Sequence, residues 1–226
     1  MTYLIYFIVI MLVPIAVQMY LKKTYSNYMK VPASSGLTGS EAARKILDEN
    51  GLYHVSVEEV HGHLSDHYDP RDKVVRLSSD NYHGTSIASL SVGIHEVGHA
   101  IQDQVDYAPL RLRHSLVPVA NIGSNMSFFV ILAGILLSSA NLLLIGIFLM
   151  AAAVLFQVVT LPVEFNASSR ALQQMVGSGL IRNDEEGSAR KVLNAAALTY
   201  VAATLVAIAE LLRFVLMFIG MNNDED

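Results

Sequence analysis

Residues 117–163 read VPVANIGSNMSFFVILAGILLSSANLLLIGIFLMAAAVLFQVVTLPV, without a charged side chain from Val117 to Val163. A helix crosses the apolar core of a bilayer in about 20 residues, so this run is too long for one crossing. The polar break Ser138-Ser139-Ala140-Asn141 divides it and predicts helices over 117–137 and 142–162 joined by a tight turn. Two more apolar blocks flank the pair. Residues 3–21 carry no charge and lack the basic n-region and small-residue cleavage site of a signal peptide, so they read as an uncleaved anchor. Residues 192–219 are interrupted only by Glu210 and Arg213, which at i and i+3 read as a pair that lowers the cost of burying either charge. Hydrophobic residues make up 53 % of the chain and charged ones 15 %, with a mean hydropathy of +0.42. A multi-pass α-helical protein of the cell membrane with four spans is expected, the lipid bilayer being its first partner.

Basic residues orient the spans. Of the 15 Lys and Arg, ten lie between the first and second blocks, from Lys22 to Arg113, and four between the third and fourth, from Arg170 to Lys191. The positive-inside rule therefore predicts both polar segments in the cytosol and both chain termini outside. A net charge of −5 offers no basic face for nucleic acid, and the absence of Cys removes disulfides and thiolate metal ligands.

The segment 24–115 is the one stretch able to form a small domain of its own. Pro32-Ala-Ser-Ser-Gly36 reads as a linker, and Thr38-Gly-Ser-Glu41 as a capped start for a helix that Asn50-Gly51 closes. Strands are expected over Tyr53–Val60 and Lys73–Leu77, on either side of the turn Asp69-Pro70-Arg71-Asp72. A long helix is expected from Thr85 or Ser86 to about Val105. The domain is thus α+β.

That helix carries His95-Glu-Val-Gly-His99. At i and i+4 the two imidazoles project from one face and can bind one Zn²⁺, and Glu96 beside them can take a proton from water held at the metal. The domain is therefore expected to be zincin-like, with one catalytic zinc ion and Glu96 as the general base. A third ligand must come from a cytosolic segment. Glu164 is the first charged residue after the apolar run, and an even number of crossings after His99 returns it to the correct side. It is the expected third ligand, carried by the cytosolic segment 163–191, with water in the fourth position.

His-Glu-Val-Gly-His followed by Glu164-Phe-Asn-Ala-Ser-Ser-Arg-Ala171 resembles the gluzincin arrangement of HtpX-type and CAAX prenyl membrane proteases. With Leu64-Ser-Asp-His-Tyr-Asp-Pro70 and Leu77-Ser78, the whole chain resembles the YugP-like family of membrane zinc peptidases more closely. The resemblance implies a zinc endopeptidase; with the charge placement and the position of Glu164, it is expected to hydrolyse peptide bonds in peptide or membrane-protein substrates at the cytosolic face. One departure stands out. Ser168 occupies the place where HtpX-type enzymes carry an Asp that buttresses a histidine ligand.

Stabilisation of the oxyanion falls to His67, Tyr82, His83, His114 or Arg170, between which the sequence does not choose. Asp103, four residues past His99, is a candidate to orient an imidazole. The Lys73–Leu77 strand is a candidate edge along which an extended peptide pairs. His54, His61 and His63 cluster near the first strand without forming a clear second site. A non-proteolytic membrane scaffold or adaptor that keeps zinc is the alternative, although a structural zinc would normally be closed by four protein ligands. A zinc transporter fits less well, since the metal-binding residues lie outside the apolar spans.

Overall fold

A computed structural model describes residues 2–223. Of the termini expected outside the membrane, Met1 and residues 224–226 lie beyond the described residues. In chain order the elements are α1 (Thr2–Tyr28), α2 (Gly39–Glu49), β1 (Ser56–Val60), β2 (His67–Asp69), β3 (Val74–Ser78), α3 (Ser79–His83), α4 (Ile87–Gln104), α5 (Ala108–Leu136), α6 (Ala140–Gly177) and α7 (Glu186–Asn223). Helices α1, α5, α6 and α7 are long and apolar enough to cross a membrane. The chain forms two compact units, Met1–Tyr107 with Val163–Thr199, and Ala108–Pro162 with Tyr200–Asp226.

The second unit is helical. The break read at 138–141 is the turn between α5 and α6, where Ser138 adopts a positive φ of 50° and the Ser139 amide donates to Gly134 O at 2.8 Å. The helices touch backbone to backbone there. A Cβ on Gly134 would lie 2.6 Å from Leu143 N, closer than packed atoms approach, so only glycine fits. Ile131, Leu143 and Ile147 form its buried cluster against Leu211, Phe214 and Phe218 of α7. Arg213 bonds Glu210 at 2.5 Å and stacks over Phe214, so the two charges in the last apolar block do pair.

The first unit is built around α4. Thr38 starts α2 with a capping box: its hydroxyl accepts from Glu41 N at 3.2 Å and the Glu41 carboxylate accepts from Thr38 N at 2.8 Å. Ala42, Ala43, Ile46 and Leu47 are buried on the inner face of α2. Three strands form the sheet in the order β1-β3-β2, β1 parallel and β2 antiparallel to β3. Val74, Val75 and Leu77 are buried, as expected of a central strand covered on both faces. The Lys73–Leu77 stretch is therefore not an edge for peptide pairing: both sides of β3 already hold a partner strand. Strand β2 went unread because His67-Tyr-Asp69 is short and does not alternate apolar with polar.

Helix α4 begins at Ser86, whose side chain accepts from Ser89 N at 3.0 Å, and nearly every residue along it is buried. Within the same unit, α6 and α7 extend past their apolar blocks. Val163, Ala167, Ala171 and Met175 recur every four residues and are all buried, as are Ala189 and Leu193 of α7. Ala171, Leu172, Met175, Ala189 and Leu193 complete the core that holds Ile46, Leu77, Ile94 and Val97. Segment 163–199 thereby becomes a wall of the unit that contains α4.

Candidate metal centre

His95 and His99 project from the same face of α4, their rings edge to face with centroids 4.8 Å apart. The Glu164 carboxylate reaches them from α6, its Oε2 lying 3.3 Å from His95 Nε2 and 3.6 Å from His99 Nε2. One ligand atom from each of the three residues lies within 4.8 Å of the others. Those separations are loose for hydrogen bonds. They suit a shared ion, because tetrahedral zinc with bonds near 2.0–2.1 Å holds its ligand atoms about 3.3 Å apart. Two neutral imidazoles and a carboxylate, without thiolate, form the donor set of a catalytic zinc site. Among the described residues no other group of three His, Asp or Glu converges this closely.

Burial tunes the group electrostatically. Glu164 is 2 % exposed, Glu96 9 % and His99 9 %. Burial alone would lower the pKa of His99, but the bond to Glu164 and the negative charges of Glu96 and Glu164 outweigh it and raise the value. Among the described residues no hydrogen bond reaches the Glu96 carboxylate, so its lone pairs remain available to a proton donor.

Close backbone contact brings Glu164 to the histidines. A Cβ on Gly98 would lie 2.7 Å from Ala167 O. Glycine inside His-Glu-Val-Gly-His thus lets α4 and α6 meet along their backbones, three residues beyond the ligand on α6.

Each imidazole has a second contact behind the metal side. Ser168 Oγ lies 3.2 Å from His95 Nδ1, so the hydroxyl at the departing position still touches a ligand. Gln102 Oε1 lies 3.0 Å from His99 Nδ1, and Gln102 Nε2 donates to Val163 O at 2.8 Å and to Asn166 Oδ1 at 3.0 Å. The sequence reading missed both Gln102 and Asn166. A polar residue one turn past His99 on an apolar helix was the available signal.

The weaker candidates are scattered. Asp103 accepts from Tyr68 at 2.7 Å and Lys73 at 2.5 Å and ties α4 to the sheet, while Gln102 takes the place beside His99. His67 is exposed and bonds Ser65 O, and His83 is exposed and bonds Glu59. Tyr82 packs against the core, Arg170 donates to Asn166 Oδ1 at 2.8 Å, and His114 lies on α5 in the other unit. His63 pairs with exposed Asp80 at 3.3 Å.

A family model described as "Putative neutral zinc metallopeptidase" matches residues 3–219. The chain belongs to this family. A curated protein of Bacillus subtilis (strain 168) named "Putative membrane protease YugP" is 57 % identical over 203 residues, covering 90 % of each chain. No solved structure matches. Zinc is thus the metal the family implies, and His95, His99 and Glu164 are the residues able to hold it.

Proposed function

We propose that the protein is a membrane-embedded zinc endopeptidase of the gluzincin type, with a zincin-like catalytic unit. The convergence of His95, His99 and Glu164 beside the unpaired Glu96 carboxylate carries this reading. Zinc bound there supplies a Lewis acid that polarises a carbonyl and acidifies water. Glu96 then takes the proton of the attacking water and returns it to the nitrogen of the leaving amine. Ser168 and Gln102 hold the two imidazoles from behind. A non-proteolytic scaffold that keeps zinc is the weaker reading, because a closed structural site wants a fourth protein ligand and, among the described residues, three groups converge.

The active site faces the cytosol, with both termini outside. The grouping of basic residues in the two segments that carry the ligands supports this sidedness. Helix α6 carries both the charge-free run and Glu164 without interruption, and Glu164 follows the last residue of that run. This supports catalysis at the membrane surface, on membrane proteins or on chains delivered to the bilayer.

The test uses the purified full chain with metal analysis and a cleavage assay on casein and on membrane-protein substrates. Wild type should carry zinc and cleave. Glu96→Gln should keep the zinc and the fold and lose on the order of 10²–10⁴-fold in rate, since an amide accepts no proton. Cleavage by Glu96→Gln at the wild-type rate would remove the base and the mechanism with it.

A further inference from the structure

The hydrogen-bond donors around His99 leave no freedom of assignment. Arg170 can only donate, and its Nε gives to Asn166 at 2.8 Å, so the atom it meets is the carboxamide oxygen. The same oxygen accepts from Gln102 Nε2 at 3.0 Å. The second hydrogen of that NH2 goes to the Val163 carbonyl at 2.8 Å, which can only accept. Both donors of Gln102 are then spent, and the atom 3.0 Å from His99 Nδ1 is its oxygen. His99 must therefore carry a hydrogen on Nδ1, which leaves Nε2, 3.6 Å from Glu164, as the nitrogen available to a metal.

We propose that Gln102, locked by Asn166 and Arg170, is a positioning residue that fixes the tautomer and ring plane of His99 for the metal. Gln102 is 0 % exposed, and a carboxamide is tolerated at full burial only if all its groups are used. The other imidazole is held differently. Ser168 can donate or accept, so its 3.2 Å contact imposes no tautomer on His95. Arg170 accordingly acts through Asn166 rather than on the substrate. This assignment rests on the zinc-centre reading and predicts which of its two histidines is preset.

The experiment uses the full chain in detergent, with zinc affinity measured by chelator competition and the imidazoles of metal-free, ¹⁵N-histidine-labelled protein observed by NMR. Gln102→Leu and Asn166→Leu should weaken zinc binding about 10- to 100-fold. They should also move His99 from the Nδ1–H form towards the Nε2–H form that free imidazole side chains favour. Asn166→Asp keeps an oxygen for both donors and should retain wild-type affinity and tautomer. If Gln102→Leu fails to fold, the Asn166 pair carries the test. Wild-type zinc affinity and an unchanged His99 tautomer in both leucine variants would overturn the positioning role, even with a lowered melting temperature. Failure of the wild type to bind zinc, or full zinc retention by His99→Ala, would instead overturn the metal centre itself.

Discussion

Gly98 and Ala167 meet so closely that a single methyl group on the glycine would sit 2.7 Å from the alanine carbonyl oxygen. The contact lies between the helix that carries both histidines and the helix that carries Glu164. Gly98→Ala should therefore destabilise the fold by about 1–3 kcal/mol through overpacking, although alanine is the better helix former. It should also lower zinc occupancy by pushing the two ligand-bearing helices apart. Gly187→Ala, where a Cβ meets nothing within 4 Å, is the control and should be neutral or stabilising. Thermal unfolding and metal analysis of the two variants decide the point, and equal behaviour would refute it.

Removal of any ligand should empty the site. His95→Ala, His99→Ala and Glu164→Ala are each expected to reduce zinc content sharply in the purified protein. Glu185→Ala and Glu186→Ala, whose carboxylates bond Ser34 and Arg190, should leave it unchanged. Full zinc content in Glu164→Ala would exclude it from the ligand set.

Acid should loosen one long-range tie before it touches the core. Burial raises the pKa of Glu185, but bonds from the Ser34 hydroxyl and from the Arg182 and Ser34 amides, with the charge of Arg182, together prevail and hold it below the usual carboxylate value of 4.5. A folded-state value below the unfolded one contributes stability that is present above about pH 4.5 and is lost as pH falls through the lowered value. Glu185→Gln should thus lower the melting temperature slightly at neutral pH and make no difference in strong acid. Because the group lies at the surface and is partly exposed, solvent screening keeps the effect small. A variant that differs from wild type equally at all pH values would contradict the assignment.

Sidedness can be read with introduced cysteines, since the chain has none of its own. Single cysteines at Asp72 and Asp184 should react with an impermeant maleimide from the cytosolic side alone, and one at Asn223 from the opposite side alone. Labelling of the first two from opposite faces would break the hairpin topology proposed for α5 and α6.

The parts of this protein legible in its sequence are those fixed by local periodicity. Apolar runs of span length, the Ser138–Asn141 break, the Thr38 capping box and the i, i+4 histidines each follow from rules acting over a few residues. Glu164 was reached by counting crossings, a topological rule that is equally simple. Gln102 escaped notice because it is uncharged and its partners Val163 and Asn166 lie more than sixty positions away. The central place of β3 was hidden for a related reason. Its parallel partner β1 is separated from it in sequence by β2, so strand order depends on a crossover that no turn signal announces. Asp103 misled because helix spacing puts it one turn beyond His99, whereas its carboxylate is drawn to Lys73 and Tyr68 on the sheet.

The division of one compact unit between two stretches of chain, up to Tyr107 and again from Val163, also sets an order of events during synthesis. His95 and His99 leave the ribosome well before Glu164, with a complete membrane hairpin still to be made between them. A nascent chain that has made α4 but not α6 carries His95, His99 and Glu96 without Glu164, and the Gly98 surface has no helix to meet. On the proposed function, peptide-bond hydrolysis would have to wait until the returning helix has joined α4, so that a chain lacking α6 would be inert.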